Sequence, residues 1–323
     1  PEEVKRKLDY YRSLFGKVQD LADEEFENLK KDVHRFFNIF PFKEPNALPE
    51  RLVRITNNNR IFAGQGKEVS YLTDISQLLA PPTNFCKYGR CNQPEEQVLY
   101  CAIDLSSAYW ETKPQNGDVI TISHFQLKKG AKINCNFISK GKVENPKITN
   151  TLEEIYYLID DFFVDAFSLE VARNRPRDYI FSADFASTQQ LFYPVPSDKN
   201  IEAIIYPSVQ RKVAGQNMAI RNDIIFDKYD LIGVETRFIL DEFENLYPAK
   251  PEPTADNLIS SFGTDKFDFS NGKILYHNYV DKVFNLFRIL QIGVSKQQRL
   301  PNPMGNKDIL MNLSPDINIK LNQ

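Results

Sequence analysis

Two periodicities divide the chain. In "ADEEFENLKKDVHRFFNIF" the apolar positions Phe26, Leu29, Val33, Phe36, Phe37 and Phe40 recur at steps of three and four, the spacing of one helical face. The pattern predicts helix through residues 2–40, stopped by Pro41, with Pro45 and Pro49 marking a linker. From Arg51 the period shortens. "RLVRI" and "QVLYCAI" are short runs rich in branched and aromatic side chains, as buried strands are. "DVITISHFQL" alternates, "IEAIIYPSV" ends as a strand at Pro207, and "LIGVETRFIL" is a further strand. Between the first two strands, "NNNRIFAGQGKEVSYLTDISQLLAPPTNF" reads as a long connection.

Helical signals alternate with these strands. "DLSSAYWE" opens a helix that Asp104 or Ser106 can cap. "TLEEIYYLIDDFFVDAFSL" is the clearest helix, with Thr151 and Glu154 at capping-box spacing. "RDYIFSADFASTQQLFY" predicts a second, ended before Pro194. Beyond residue 241, "PAKPEPTADN" reads as a linker or exposed loop. "KFDFSNGKILY" carries Asn271–Gly272 as a two-residue hairpin signal. "YVDKVFNLFRILQIGVSKQQ" fits a helix, the tail from Pro301 is polar, and no internal repeat is present.

Composition narrows the function. Hydrophobic residues make up 42% and aromatics 12%, enough for a packed core. A net charge of −3 lacks the basic excess of a nucleic-acid binder. No run of 18 apolar residues predicts a membrane span, and the charged opening "PEEVKRKLDYY" has no signal-peptide character, so a cytoplasmic chain is expected. Cys86, Cys91, Cys101 and Cys135 match no zinc spacing, and His34, His124 and His277 are scattered, so reduced, idle thiols and no metal are expected.

Familiar catalytic motifs are missing. "GQG" at residues 64–66 lacks the lysine and strand–helix setting of a phosphate loop, and no G-x-S-x-G elbow occurs. What remains is a set of polar residues at the ends of core elements. Arg54 lies inside the first strand, Arg90 follows Gly89 in a turn, and Tyr100 ends an apolar strand. Glu111 sits in the first or second turn of a helix, Ser208 follows Tyr206–Pro207, and Asn217 lies in the loop beyond. Each has a plain structural role open to it: Arg90 and Glu111 as an ion pair, Tyr100 as a core aromatic, Ser208 as a turn former.

Two blocks bear a resemblance. "GRCNQPEEQVLYCA", residues 89–102, resembles the signature of the RES-domain family: Gly-Arg-aromatic-Asn, a short Pro/Gly turn, then Leu-Tyr-small-Ala, with a helical Glu after it. "AIIYPSVQRKVAGQNMAI", residues 203–220, is similar to the family's second block. The likeness covers residues 48–240 and leaves a helical N-terminal extension, 1–47, and a C-terminal extension, 241–323. Cys91 stands where the family usually has an aromatic, and Glu95 where Gly is common.

The resemblance implies an α+β fold like that of the ADP-ribosyltransferase toxins, with split mixed sheets flanked by helices. It implies a bacterial toxin that degrades NAD as a glycohydrolase or phosphorylase, with water or phosphate as acceptor and no cofactor. A partner antitoxin of the Xre type and a homodimer are compatible with it; membranes and nucleic acid are not expected partners. Arg90, Tyr100, Glu111 and Ser208 fall on the family's catalytic positions, and Arg54 on a further arginine in the first strand. Cleaving the nicotinamide–ribose bond develops positive charge on the ribose, which the Glu111 carboxylate would stabilise. Arg54 and Arg90 would hold the diphosphate. Tyr100 would bound the nicotinamide, Ser208 would hydrogen-bond the ribose or amide, and Asn217 would shape its loop. Two alternatives stay open: an ADP-ribosyltransferase, or a non-catalytic interaction protein on the same fold.

Overall fold

The computed structural model describes residues 1–37, 42–138, 148–192, 201–209, 215–240 and 259–296. The strands are β1 (Arg51–Asn57), β2 (Val98–Ala102), β3 (Val119–Leu127), β4 (Cys135–Phe137), β5 (Ala203–Pro207), β6 (Gln216–Arg221), β7 (Tyr229–Phe238), β8 (Ile259–Thr264), β9 (Phe267–Asp268) and β10 (Lys273–Ile274). The helices are α1 (Glu2–Ser13), α2 (Asp23–Phe36), α3 (Asn58–Gly64), α4 (Leu105–Thr112), α5 (Thr151–Ser168), α6 (Ile180–Ala186), α7 (Ile225–Lys228) and α8 (Val280–Lys296). Eight strands form one mixed sheet in the order β4-β5-β6-β2-β1-β3-β7-β8, and β9 and β10 pair separately. The protein is therefore α+β, a large mixed sheet flanked by helices.

The sheet narrows at its centre. β1 and β3 pair along the whole length of β1, from Arg51 opposite Gln126 to Asn57 opposite Ile120. On its other side β1 meets β2 at one position only, Val53 opposite Ala102. The two halves thus diverge from a shared hinge point. The pair of separate small sheets expected from the resemblance is here one continuous sheet, because that single rung joins the halves.

Helices cover both faces. α1 and α2 pack on α5 and α6 around Tyr11, Phe37, Phe162, Phe163, Phe181 and Phe185, all buried. Phe163 and Phe185 stack at 3.7 Å, and such ring pairs add to the burial itself. Arg12 ties α1 to α5 through Asp161 (2.9 Å) and Asp165 (2.8 Å). α4 lays Tyr109 over Ile120 and Ile122. α8 presses Phe284 and Phe287 onto Phe238. No described helix is long and apolar enough to cross a membrane.

The structure corrects several local expectations. The connection after β1 is not featureless: Asn57 accepts the Arg60 N–H at 3.2 Å and starts α3, and short 3₁₀ turns follow at Ile75–Leu78 and Thr83–Phe85. α5 is capped one residue earlier than its sequence suggests. Asn150 accepts the Glu153 N–H, and Glu153 reaches back to Thr149, so Asn150 rather than Thr151 is the cap. The predicted second helix is present and runs unbroken as a 3₁₀ turn over Pro176–Tyr179, α6, and a π turn over Ser187–Leu191. The Asn271–Gly272 hairpin has a four-residue loop, Phe269–Gly272, because Asp268 accepts N–H groups of Ser270 and Asn271 and closes a wider turn. Asn217 sits not in a loop but in β6, paired on both sides. Phe40, the Pro-rich stretch 248–257 and the tail from Pro301 lie outside the described residues.

Candidate functional site

The parting between β1 and β2 holds a cavity of about 300 Å³. Arg54, Arg90, Tyr100, Glu111 and Asn217 line it, and Ser208 reaches it through Glu111. Residues that lie far apart in sequence therefore meet in one place. A larger hollow of about 430 Å³ lies between residues 44–51 and the side chains of Ile103, Phe137 and Ile205. None of the candidate residues lines it, and its charged residues, Glu44, Glu50 and Arg51, are exposed.

Glu111 is positioned by α4. Asp104 caps that helix, accepting the Ser107 N–H at 2.8 Å, and Lys113 ends it in the left-handed region at φ 43°. Glu111 is exposed at the cavity mouth, one residue before the helix ends. Its Oε1 accepts two hydrogen bonds, from Ser208 Oγ at 2.6 Å and from Asn217 Nδ2 at 2.8 Å. Both donors are buried. Oε2 has no hydrogen-bond donor among the described residues. One carboxylate oxygen is thus fixed by a residue of β6 and by one just past the end of β5, on a residue that lines the cavity.

Gly89, Arg90, Asn92 and Tyr100 form one cradle. The Tyr100 hydroxyl accepts the Cys91 N–H at 2.8 Å and donates to Asn92 Oδ1 at 2.7 Å. Asn92 Nδ2 donates to the carbonyls of Lys87 and Gln93. A Cβ on residue 89 would lie 2.4 Å from Asn92 Oδ1 and 2.8 Å from the Tyr100 hydroxyl, so any side chain here would force one of them to move. The hydroxyl of Tyr100 is therefore spent on the turn, and only the rest of the residue is left to wall the cavity. Its burial holds the phenol well above its usual pKa, so it stays protonated. Cys91 is fully buried and its thiol is likewise pushed up by burial, which makes it a filler under the turn.

The arginines are engaged differently from a free clamp. Arg90 donates to the carbonyl of Phe167 through Nη1 and to that of Leu169 at 3.0 Å through Nη2, capping the C-terminal end of α5, where a cation is favoured. Its guanidinium lies 5.3 Å from the Tyr179 ring and 5.9 Å from the Tyr206 ring. Arg54 donates to Tyr100 O at 2.9 Å and to Leu79 O at 3.3 Å, and its Nε is buried without a partner. Arg54 thus plugs the parting that it lines. Burial lowers its pKa from the usual arginine value. Among the described residues no carboxylate pairs with either guanidinium, so Arg90 and Glu111 are not the structural ion pair that spacing alone allowed.

Asn92, Tyr179 and Tyr206 are not evident as site residues from the sequence. Asn92 lies inside the 89–102 signature, three residues after Gly89. Tyr206 reads only as a strand end, and Tyr179 enters through a 3₁₀ turn, Pro176–Tyr179, distant in sequence from the other site residues. Among the described residues no cluster of three or more His, Cys, Asp or Glu side chains could hold a metal. Neither a family model nor a curated protein matches the chain.

Proposed function

We propose that the protein cleaves the nicotinamide–ribose bond of NAD, as the resemblance to RES domains implies, on an ADP-ribosyltransferase-like fold. One observation carries the reading: the Glu111 carboxylate, fixed by Ser208 and Asn217, stands at the mouth of a cleft whose walls carry two guanidiniums without carboxylate partners. The parting of the sheet between β1 and β2 supports the fold comparison.

In the reaction the C–N bond breaks and its electron pair returns to the pyridine nitrogen. Positive charge moves from the pyridinium to the ribose. Glu111 Oε2 stabilises that charge or holds a ribose hydroxyl, and it needs no reorganisation because Oε1 is already fixed. Water or phosphate then bonds the anomeric carbon and gives up a proton to solvent. Arg54 and Arg90 each keep further N–H donors beyond the two used, and in this reading they supply positive charge for the diphosphate. No covalent enzyme intermediate and no cofactor enter the scheme.

The test is release of nicotinamide from NAD by the pure chain, with and without phosphate. Glu111→Gln keeps an acceptor for Ser208 and Asn217 and removes the charge. It is expected to lower turnover by about 10²–10³-fold, the usual loss of one preorganised electrostatic group. Equal rates in wild type and variant would sink the proposal. Labelled ADP-ribose appearing on lysate proteins instead would turn the reading to a transferase. In a bacterial host the toxin reading adds growth arrest on expression, relieved by Glu111→Gln, and rescue by an Xre-type antitoxin protein.

A further inference from the structure

Tyr206 is the cavity residue whose chemistry the scheme above leaves unused. It lies on β5 directly opposite Asn217 of β6, and Asn217 lies opposite Ala102 of β2. Directly opposed residues of antiparallel strands share a face, so the three form one row across the cavity wall. The middle member of that row donates to Glu111. Tyr206 is buried, lines the cavity and flanks the Arg90 guanidinium together with Tyr179. Its hydroxyl makes no hydrogen bond among the described residues, in contrast to Tyr100, whose hydroxyl makes two. Burial holds the Tyr206 phenol well above its usual pKa, so it remains an O–H donor. A hydroxyl on a buried residue that lines a cavity, with no hydrogen-bond partner among the described residues, is suited to a ligand acceptor.

We propose that Tyr206 recognises the leaving base: its hydroxyl donates to the carboxamide of nicotinamide. The proposal rests on the NAD reading. The Tyr206 and Tyr179 rings already face the Arg90 guanidinium, so the hydroxyl is the part of Tyr206 left for a ligand.

The test compares NAD with an analogue whose pyridine ring carries no carboxamide, using the full chain and its Tyr206→Phe and Glu111→Gln variants. Release of the pyridine base gives kcat/KM in each case. Tyr206→Phe is expected to lower kcat/KM for NAD about tenfold, the loss of one neutral hydrogen bond, and to leave the analogue unchanged. That ratio separates recognition from general damage, which would lower both substrates alike. Binding of free nicotinamide, followed by calorimetry, should weaken by a similar factor in Tyr206→Phe. An equal fall for both substrates, or none for NAD, overturns the assignment. If Tyr206→Phe is fully active on NAD while Glu111→Gln is not, this inference falls and the NAD reading stands. If the wild type neither binds nor cleaves NAD, both fall.

Discussion

The two sides of β1 make the most instructive comparison in the molecule. Toward β3 the strand is paired from end to end, with Ile55 opposite Ile122 and Thr56 opposite Thr121. Toward β2 it is paired at Val53 alone. One flank spends its backbone groups on a ladder. The other leaves the Tyr100 carbonyl to a side chain, Arg54, and opens the cavity that gathers Glu111, Arg90 and Asn217. A parted ladder costs pairing, and at this place it creates concave surface with polar walls. The aromatic layer of α1, α2, α5 and α6 follows the opposite logic, with stacked rings such as Phe163 and Phe185 filling the space.

That contrast predicts two variants with opposite signatures. Glu111→Gln should lose activity by the factor given above and keep its melting temperature, because both buried donors retain an acceptor. Phe163→Ala should cost about 3–5 kcal/mol of stability by opening a cavity among packed rings. Below its melting temperature, its kcat/KM for NAD should stay near that of wild type. Thermal melts and nicotinamide release on the same samples check both. A Phe163→Ala protein that is stable but inactive would show that the helical layer does chemistry, and would break the comparison.

The parting itself was not legible in the sequence. "RLVRI" and "QVLYCAI" both read as strands, and both are strands, but pairing at one rung is a property of how two distant segments twist apart. The site residues were legible for another reason. A Cβ on residue 89 would crowd the Asn92 amide and the Tyr100 hydroxyl, and one turn holds residues 89, 92 and 100 together, so Arg90 and Tyr100 lie close in sequence as well as in space. Local geometry of that kind leaves a local pattern. Tyr179 and Tyr206 leave none, since each reaches the cavity from an element that is adjacent only in space. Asn217 was noticed and misplaced: "AGQN" suggests a turn, and the pairing of Gln216–Arg221 with β2 and β5 overrides that preference.

A smaller effect probes the cradle. Gly89→Ala should force the Tyr100 ring or the Asn92 amide away and break the bond between them. The expected loss is about 1–3 kcal/mol, with a matching drop in melting temperature. If the cradle aims Arg90 into the cavity, KM for NAD should rise along with the loss of stability. Unchanged KM in a destabilised Gly89→Ala protein would make the cradle a support for the fold alone.

The smallest expected effect sits in the same turn. Glu95 is exposed and adopts φ 69°, in the left-handed region, while its N–H donates to Cys86 O at 3.2 Å. A non-glycine residue there costs about 1–2 kcal/mol. Glycine relieves that cost and adds conformational freedom to the unfolded chain, about 0.5–1 kcal/mol in the opposite sense. Glu95→Gly should therefore raise stability by no more than about 1.5 kcal/mol, and Glu95→Val should lower it, since a β-branched side chain fits the left-handed region worst. Neither should alter kcat/KM for NAD, because Glu95 is not among the residues that line the cavity. A severalfold change in kcat/KM for Glu95→Gly at unchanged stability would mean that this carboxylate acts on the substrate. The functional side of the comparison would then extend from the parting of the sheet into the turn that supports it.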